Sequence, residues 1–120
     1  MPLPRVVPEI HVNDYGTLFL FAVRDGNNKR IDISEWVAFE VLLLSPDGAE
    51  FSRVGLPFPA VNPLKPDGFD GIFYYVNQRE DFYISGAWFV QAFVDSGRGA
   101  WTSSTVTFTV FPTIGSGLLP

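Results

Sequence analysis

Short runs of β-branched and aromatic residues, separated by turn residues, recur along most of this chain. The pattern predicts strands at 9–12 (EIHV), 17–24 (TLFLFAVR), 36–44 (WVAFEVLLL), 49–54 (AEFSRV), 72–77 (IFYYVN), 87–94 and 100–111 (AWTSSTVTFTVF), with RIDI (30–33) as a further short edge strand. Gly, Asn and Asp in DGNNK (25–29), SPDG (45–48) and DSGRG (95–99) tolerate the dihedrals that tight turns require. Residues 55–71 hold four prolines and three glycines, which predicts an irregular connection without regular pairing. No segment has the 3.6-residue period of an amphipathic helix. About seven strands with turns every 8–12 residues predict an all-β chain, an immunoglobulin-like antiparallel β-sandwich, with a small closed barrel as the rival. The expected organisation is a Pro-rich N-terminal arm over 1–8, the sandwich over 9–111 and a C-terminal tail over 112–120.

The faces of these strands are unequal. In the last strand Val106, Phe108 and Val110 share one parity and Ser103, Thr105, Thr107 and Thr109 the other, as expected of a sheet with one wet face. In the stretch GAWFVQAFVD, Trp88, Val90, Ala92 and Val94 form one apolar parity, yet Ala87, Phe89 and Phe93 make the other apolar too, interrupted only by Gln91. Residues 17–24 do the same, with Leu18, Leu20 and Ala22 opposed to Phe19, Phe21 and Val23. A second apolar face must be covered, either by the chain's own loop 55–71 and its termini or by another subunit.

Composition favours the second cover. Aromatic residues are 16% of the chain, with 12 Phe, while charged residues are only 18%, below the usual ~25% of soluble domains. The net charge of −5 and the scatter of Lys and Arg argue against nucleic-acid binding, which needs a basic patch. With no cysteine, disulfides, Cys-ligated zinc and thiol catalysis are excluded. The opening MPLPRVVPEI has no apolar core of a signal peptide, and no apolar run reaches the ~18 residues of a membrane span, so the expectation is a soluble chain made in the cytoplasm.

Catalytic chemistry is poorly represented. His11 is the only histidine, and no nucleophile motif accompanies it. The paired acids Asp67 and Asp70, and Glu80 and Asp81, sit in turns, where side-chain-to-backbone hydrogen bonds explain them better than glycosidase chemistry. The oxygens of DGNN and PDGFDG offer calcium ligands but lack EF-hand spacing. The reading is a non-enzyme with no cofactor and no metal. The alternative that keeps weight is a carbohydrate- or receptor-binding module presenting Trp36, Trp88, Trp101, Tyr74 or Tyr75 to a glycan.

The segments LFLFAVRDGNNKRIDIS, FEVLLLSPDG, DGFDGIFYYV and ISGAWFVQAFVDSGRGAWTSSTVTFTV together resemble small Ig-like domains of tailed-bacteriophage virion proteins, in particular the N-terminal domain of baseplate upper proteins and related tail or capsid accessory proteins. The resemblance covers roughly residues 14–111. It implies a structural protein located in the virion as a tail, baseplate, adaptor or capsid-decoration component. Its partners would be other virion proteins and copies of itself, with neither nucleic acid nor membrane as partner. Family members of this kind carry the domain at the head of a longer chain, whereas this sequence ends with it. The expected interface is Phe89, Gln91 and Phe93, accompanied by Phe19 and Phe21, with Phe58 and Phe69 of the Pro-rich loop as a second contact.

Overall fold

The computed structural model describes residues 9–113 and contains no helix among them. The expected N-terminal arm, 1–8, therefore lies outside the described residues, as does the C-terminal tail beyond Pro112 and Thr113. Among the described residues nine strands occur in chain order: β1 (Ile10–His11), β2 (Leu18–Ala22), β3 (Ala38–Leu44), β4 (Glu50–Val54), β5 (Leu56–Pro57), β6 (Ile72–Val76), β7 (Gly86–Asp95), β8 (Ala100–Thr102) and β9 (Val106–Phe111). They form two sheets, one in the order β1-β9-β7-β3-β4 with β8 also on β7, the other in the order β2-β6-β5. All pairings are antiparallel except that of β1 with β9.

The core lies between the sheets and makes the chain β-sandwich-like. The large sheet contributes Phe39, Val41, Leu43, Trp88, Val90, Val94 and Val110, and the small sheet Phe73 and Tyr75. Phe39 meets Phe73 across the gap at 5.2 Å between ring centroids, and Phe19 meets Phe108 at 6.0 Å. Two irregular segments complete this layer. Ile33 and Phe82 are both fully buried, although neither belongs to a strand. Phe82 sets its ring edge-on to Trp88 at 5.2 Å, and the Trp88 indole N–H donates to the Ile84 carbonyl at 2.9 Å.

Three expectations about elements are corrected. RIDI is no strand: a single bridge joins Arg24 to Arg30, and the chain then turns inward so that Ile33 fills the core and donates to the Gly68 carbonyl at 3.0 Å. The connection 55–71 does pair, because Leu56 and Pro57 form β5 against β6; an edge strand tolerates the proline. The run 100–111 is two strands, since the pairing of Phe93 with Thr102 and of Val90 with Val106 leaves three residues, 103–105, opposite two. This is a β-bulge, and it switches the inward parity from Trp101 to Val106, Phe108 and Val110. Ser103 anchors it, its N–H donating to the Ala92 carbonyl and its Oγ accepting from the Ala92 N–H, each at 2.8 Å.

Candidate functional site

The outer face of the small sheet is apolar and exposed. The β2–β6 register sets Phe19 opposite Tyr75 and Phe21 opposite Phe73. Phe73 and Tyr75 are core residues, so Phe19 and Phe21 also point inward and pack against the core. Both rings thus belong to the inner face of the small sheet and not to its outer one. With both parities apolar, alternation carried no contrast, and cross-strand pairing decides the face. The outward parity is Leu18, Leu20 and Ala22 on β2, Ile72, Tyr74 and Val76 on β6, and Leu56 on β5. Leu20, Tyr74 and Leu56 lie in one row across the three strands. Leu18, Leu20, Leu56 and Val76 are 47%, 53%, 54% and 42% exposed. None of LFLFA, LP and IFYYV contains a charged residue. Phe58 extends this surface, its ring edge-on to Tyr74 at 5.5 Å. Loop 55–71 therefore covers only the margin of the face.

The large sheet presents a second, more polar outer face. Phe89, Gln91 and Phe93 face outward opposite Leu44, Leu42 and Glu40. Phe89, Gln91, Leu42, Leu44, Glu50 and Thr105 help to line a shallow hollow of about 710 Å³. Phe89 is partly exposed, whereas Gln91 and Phe93 are half-buried, and the Gln91 amide donates to the Ser103 carbonyl at 3.3 Å. Phe69 stands apart from both faces, in loop 55–71, with the Lys65 ammonium 5.0 Å from its ring centroid.

The acidic turns act on backbone. Asp25 accepts from the N–H groups of Asn27 and Lys29, and Asp70 from that of Val61. Hydrogen bonds from the Ser34 side chain and backbone N–H hold the Asp32 carboxyl below the usual carboxylate range. His11 lies within 3.5 Å of Glu9 and 3.7 Å of Asp14. Among the described residues no group of three or more His, Cys, Asp or Glu side chains is placed to hold a metal ion.

One buried polar cluster escaped the sequence reading. Asp81 is fully buried and accepts from Arg53 Nε at 2.8 Å, from the Gln78 N–H at 2.8 Å and from the Tyr75 hydroxyl. Burial first, and then the hydrogen bond to Asp81, pushes the Tyr75 hydroxyl up to about 12. The cluster ties β4 and β6 to the corner that carries Phe82, and so serves architecture. Its sequence signal was available: Arg53 shares its strand parity with the core-facing Phe51, and an inward arginine needs a buried acid.

The aromatic residues of the glycan alternative are largely engaged. Trp88 and Tyr75 are buried, and Trp36 stacks on Trp101 at 5.7 Å between centroids. Comparison with family models, with curated proteins and with solved structures finds no match.

Proposed function

We propose that the protein is a non-enzymatic structural component of a tailed-bacteriophage virion, an Ig-like sandwich that works through protein–protein interfaces. The observation that carries the interface part is the outer face of the small sheet, where four large apolar side chains stand about half exposed on three strands without a charge. Such a face is costly to leave in water and is the kind of patch that marks an interaction surface. The hollow beside Phe89 and Gln91 is the second contact, as a subunit with more than one neighbour requires. The virion part rests on the resemblance of the segments between residues 14 and 111. The Ig-like part is supported by strand order, with β1-β9-β7-β3-β4 set against β2-β6-β5 and β1 parallel to β9. Against it stand the lack of a cysteine pair and a core tryptophan on β7 rather than β3.

Light scattering across a concentration series tests the interface. The wild-type chain is expected to give a multiple of the monomer mass. The double variant Leu20→Asp with Leu56→Asp is expected to give the monomer mass with an unchanged thermal midpoint, because both side chains point to solvent in the single subunit. A wild-type chain that stays monomeric at every concentration refutes self-association, and a variant that still assembles places the contact elsewhere. Retention of both proteins on phage tail or capsid fractions then separates a heterologous partner from none.

A further inference from the structure

β2 is an edge strand with half of its backbone bonding groups unused. The Val23 N–H donates to the Gly71 carbonyl at 2.7 Å and the Asn77 N–H to the Thr17 carbonyl at 3.1 Å, both in the register of the β2–β6 pair. Odd-numbered residues therefore bond to β6, and Leu18, Leu20 and Ala22 turn their N–H and carbonyl groups the other way. Among the described residues no strand lies on that side. A cleft of about 670 Å³ separates β2 from Ser103, Ser104 and Val106 of the large sheet, which leaves room for an added strand. LFLFA also lacks the devices that normally keep an edge from pairing, since it has no charge, no proline and no bulge.

The pattern of this edge fits a second copy of the chain. A two-fold axis through Leu20 sets it opposite Leu20 of the second copy, and sets Leu18 opposite that copy's Ala22, with the strands antiparallel. All three residues present their bonding groups to the edge, so each N–H meets a carbonyl. An axis at Phe19 or Phe21 would leave one of the three opposite a residue outside the strand. No like charges meet in the pair, because the strand carries none. The reversal brings the end that leads into Arg24 beside the end that follows Asp14, so opposite charges flank it. Asp25 is committed to the N–H groups of Asn27 and Lys29 in its own turn. Pairing also stops at two copies. Both β2 edges are then consumed, and the far edge, β5, is short and carries Pro57. Leu18, Leu20 and Ala22 of both copies lie on one side of the merged sheet, which joins the two apolar outer faces.

We propose that two copies pair antiparallel through β2 about a two-fold axis at Leu20, which rests on the reading of the small sheet as an assembly surface and leaves the merged outer face for a further partner. The test combines light scattering with residue-resolved amide exchange on the full chain. The Leu20 amide is expected to exchange at least roughly tenfold more slowly in the concentrated dimer than in the dilute monomer, while the Phe19 and Phe21 amides are protected in both. Leu20→Pro removes the central edge N–H and keeps the side chain apolar. It is expected to give the monomer mass with the amides of β3 and β7 still protected. Leu56→Asp, on the far strand, is expected to stay dimeric. A dimer whose Leu20 amide exchanges freely, or one that Leu56→Asp dissociates, overturns the edge pairing and leaves association through the outer face standing. A Leu20→Pro chain that keeps the dimer mass overturns it too. So does protection of Leu20 that does not change on dilution, since the edge is then covered within the chain. A chain that stays monomeric at every concentration overturns both the pairing and self-association.

Discussion

Replacing Asp81 by alanine tests how the sandwich is held together. The carboxylate is fully buried and gathers three donors from three parts of the chain: Arg53 on β4, Tyr75 on β6, and the Gln78 N–H at the start of the corner. Deleting it leaves the Tyr75 hydroxyl buried without an acceptor and weakens the turn at Gln78, each a loss of roughly 1–3 kcal/mol. Arg53 loses less, because its side chain is 32% exposed, its guanidinium also donates to the Ser52 carbonyl, and it lies 4.6 Å from the Phe51 ring centroid. The expected cost of Asp81→Ala is therefore about 4 kcal/mol, within the range for breaking a buried pair, and about 15 °C in thermal midpoint for a domain of this size. Arg53→Met is expected to cost only about 1–2 kcal/mol, since the acid keeps two neutral donors and the thioether can pack against Phe51. Urea unfolding of both single variants and the double variant gives the coupling between the two sites. If Asp81→Ala costs under about 1 kcal/mol, or no more than Arg53→Met, the assignment of Asp81 as the anchor of this corner is wrong.

Other consequences follow from single positions. Gly71 has φ +78, and a Cβ there would stand 2.7 Å from the Ile31 carbonyl oxygen; Gly71→Ala is expected to cost roughly 3 kcal/mol by urea unfolding, and a neutral result would contradict that close approach. The Tyr75 hydroxyl titrates at about 12 in the folded chain against 10.0 for the ordinary group. A raised folded value means that its stabilisation is complete below pH 10 and is lost as pH rises through 12, an effect of roughly 3 kcal/mol. Ultraviolet titration of tyrosinate is expected to show one late group in the wild-type chain that Tyr75→Phe lacks. Ser103→Ala removes the acceptor of the Ala92 N–H at the bulge; about 1 kcal/mol is expected, and exchange of the Ala92 amide should accelerate, with no change there arguing against the serine's anchoring role.

What the sequence made legible, and what it hid, follows from contrast along each strand. In the stretch from Val106 to Val110 threonines alternate with apolar residues, so the inward face could be read directly, and Phe108 and Val110 lie inward as that pattern requires. In LFLFA every position is apolar, and the face was settled only by pairing with Phe73 and Tyr75 more than fifty residues away. The expectation that placed Phe19 and Phe21 on an interface thus fell on the inward parity, whereas Leu18 and Leu20 are the side chains that face water. The bulge was hidden for a related reason. Trp101 and Val106 differ in parity, and an uninterrupted strand would turn one of them out; Ser103 resolves the conflict by bonding twice to Ala92. Asp81 stayed unrecognised because its partners come from separate strands, although Arg53 beside Phe51 already called for a buried acid.

The charge map gives these observations a common cause. Every Asp, Glu, Lys and Arg of the chain lies outside the three strands of the small sheet. Natural sheets usually protect an open edge with a charge, a proline or a bulge. β5 has Pro57 at its edge, but β2 has none of these devices. A lone subunit with a bare apolar edge and a bare apolar face on one sheet would present two routes to disordered association. The edge and the face nonetheless make different demands. The edge offers backbone donors and acceptors over five residues, which only another extended segment satisfies. The face offers side chains alone, so it accepts a packed surface from a neighbour without any strand pairing.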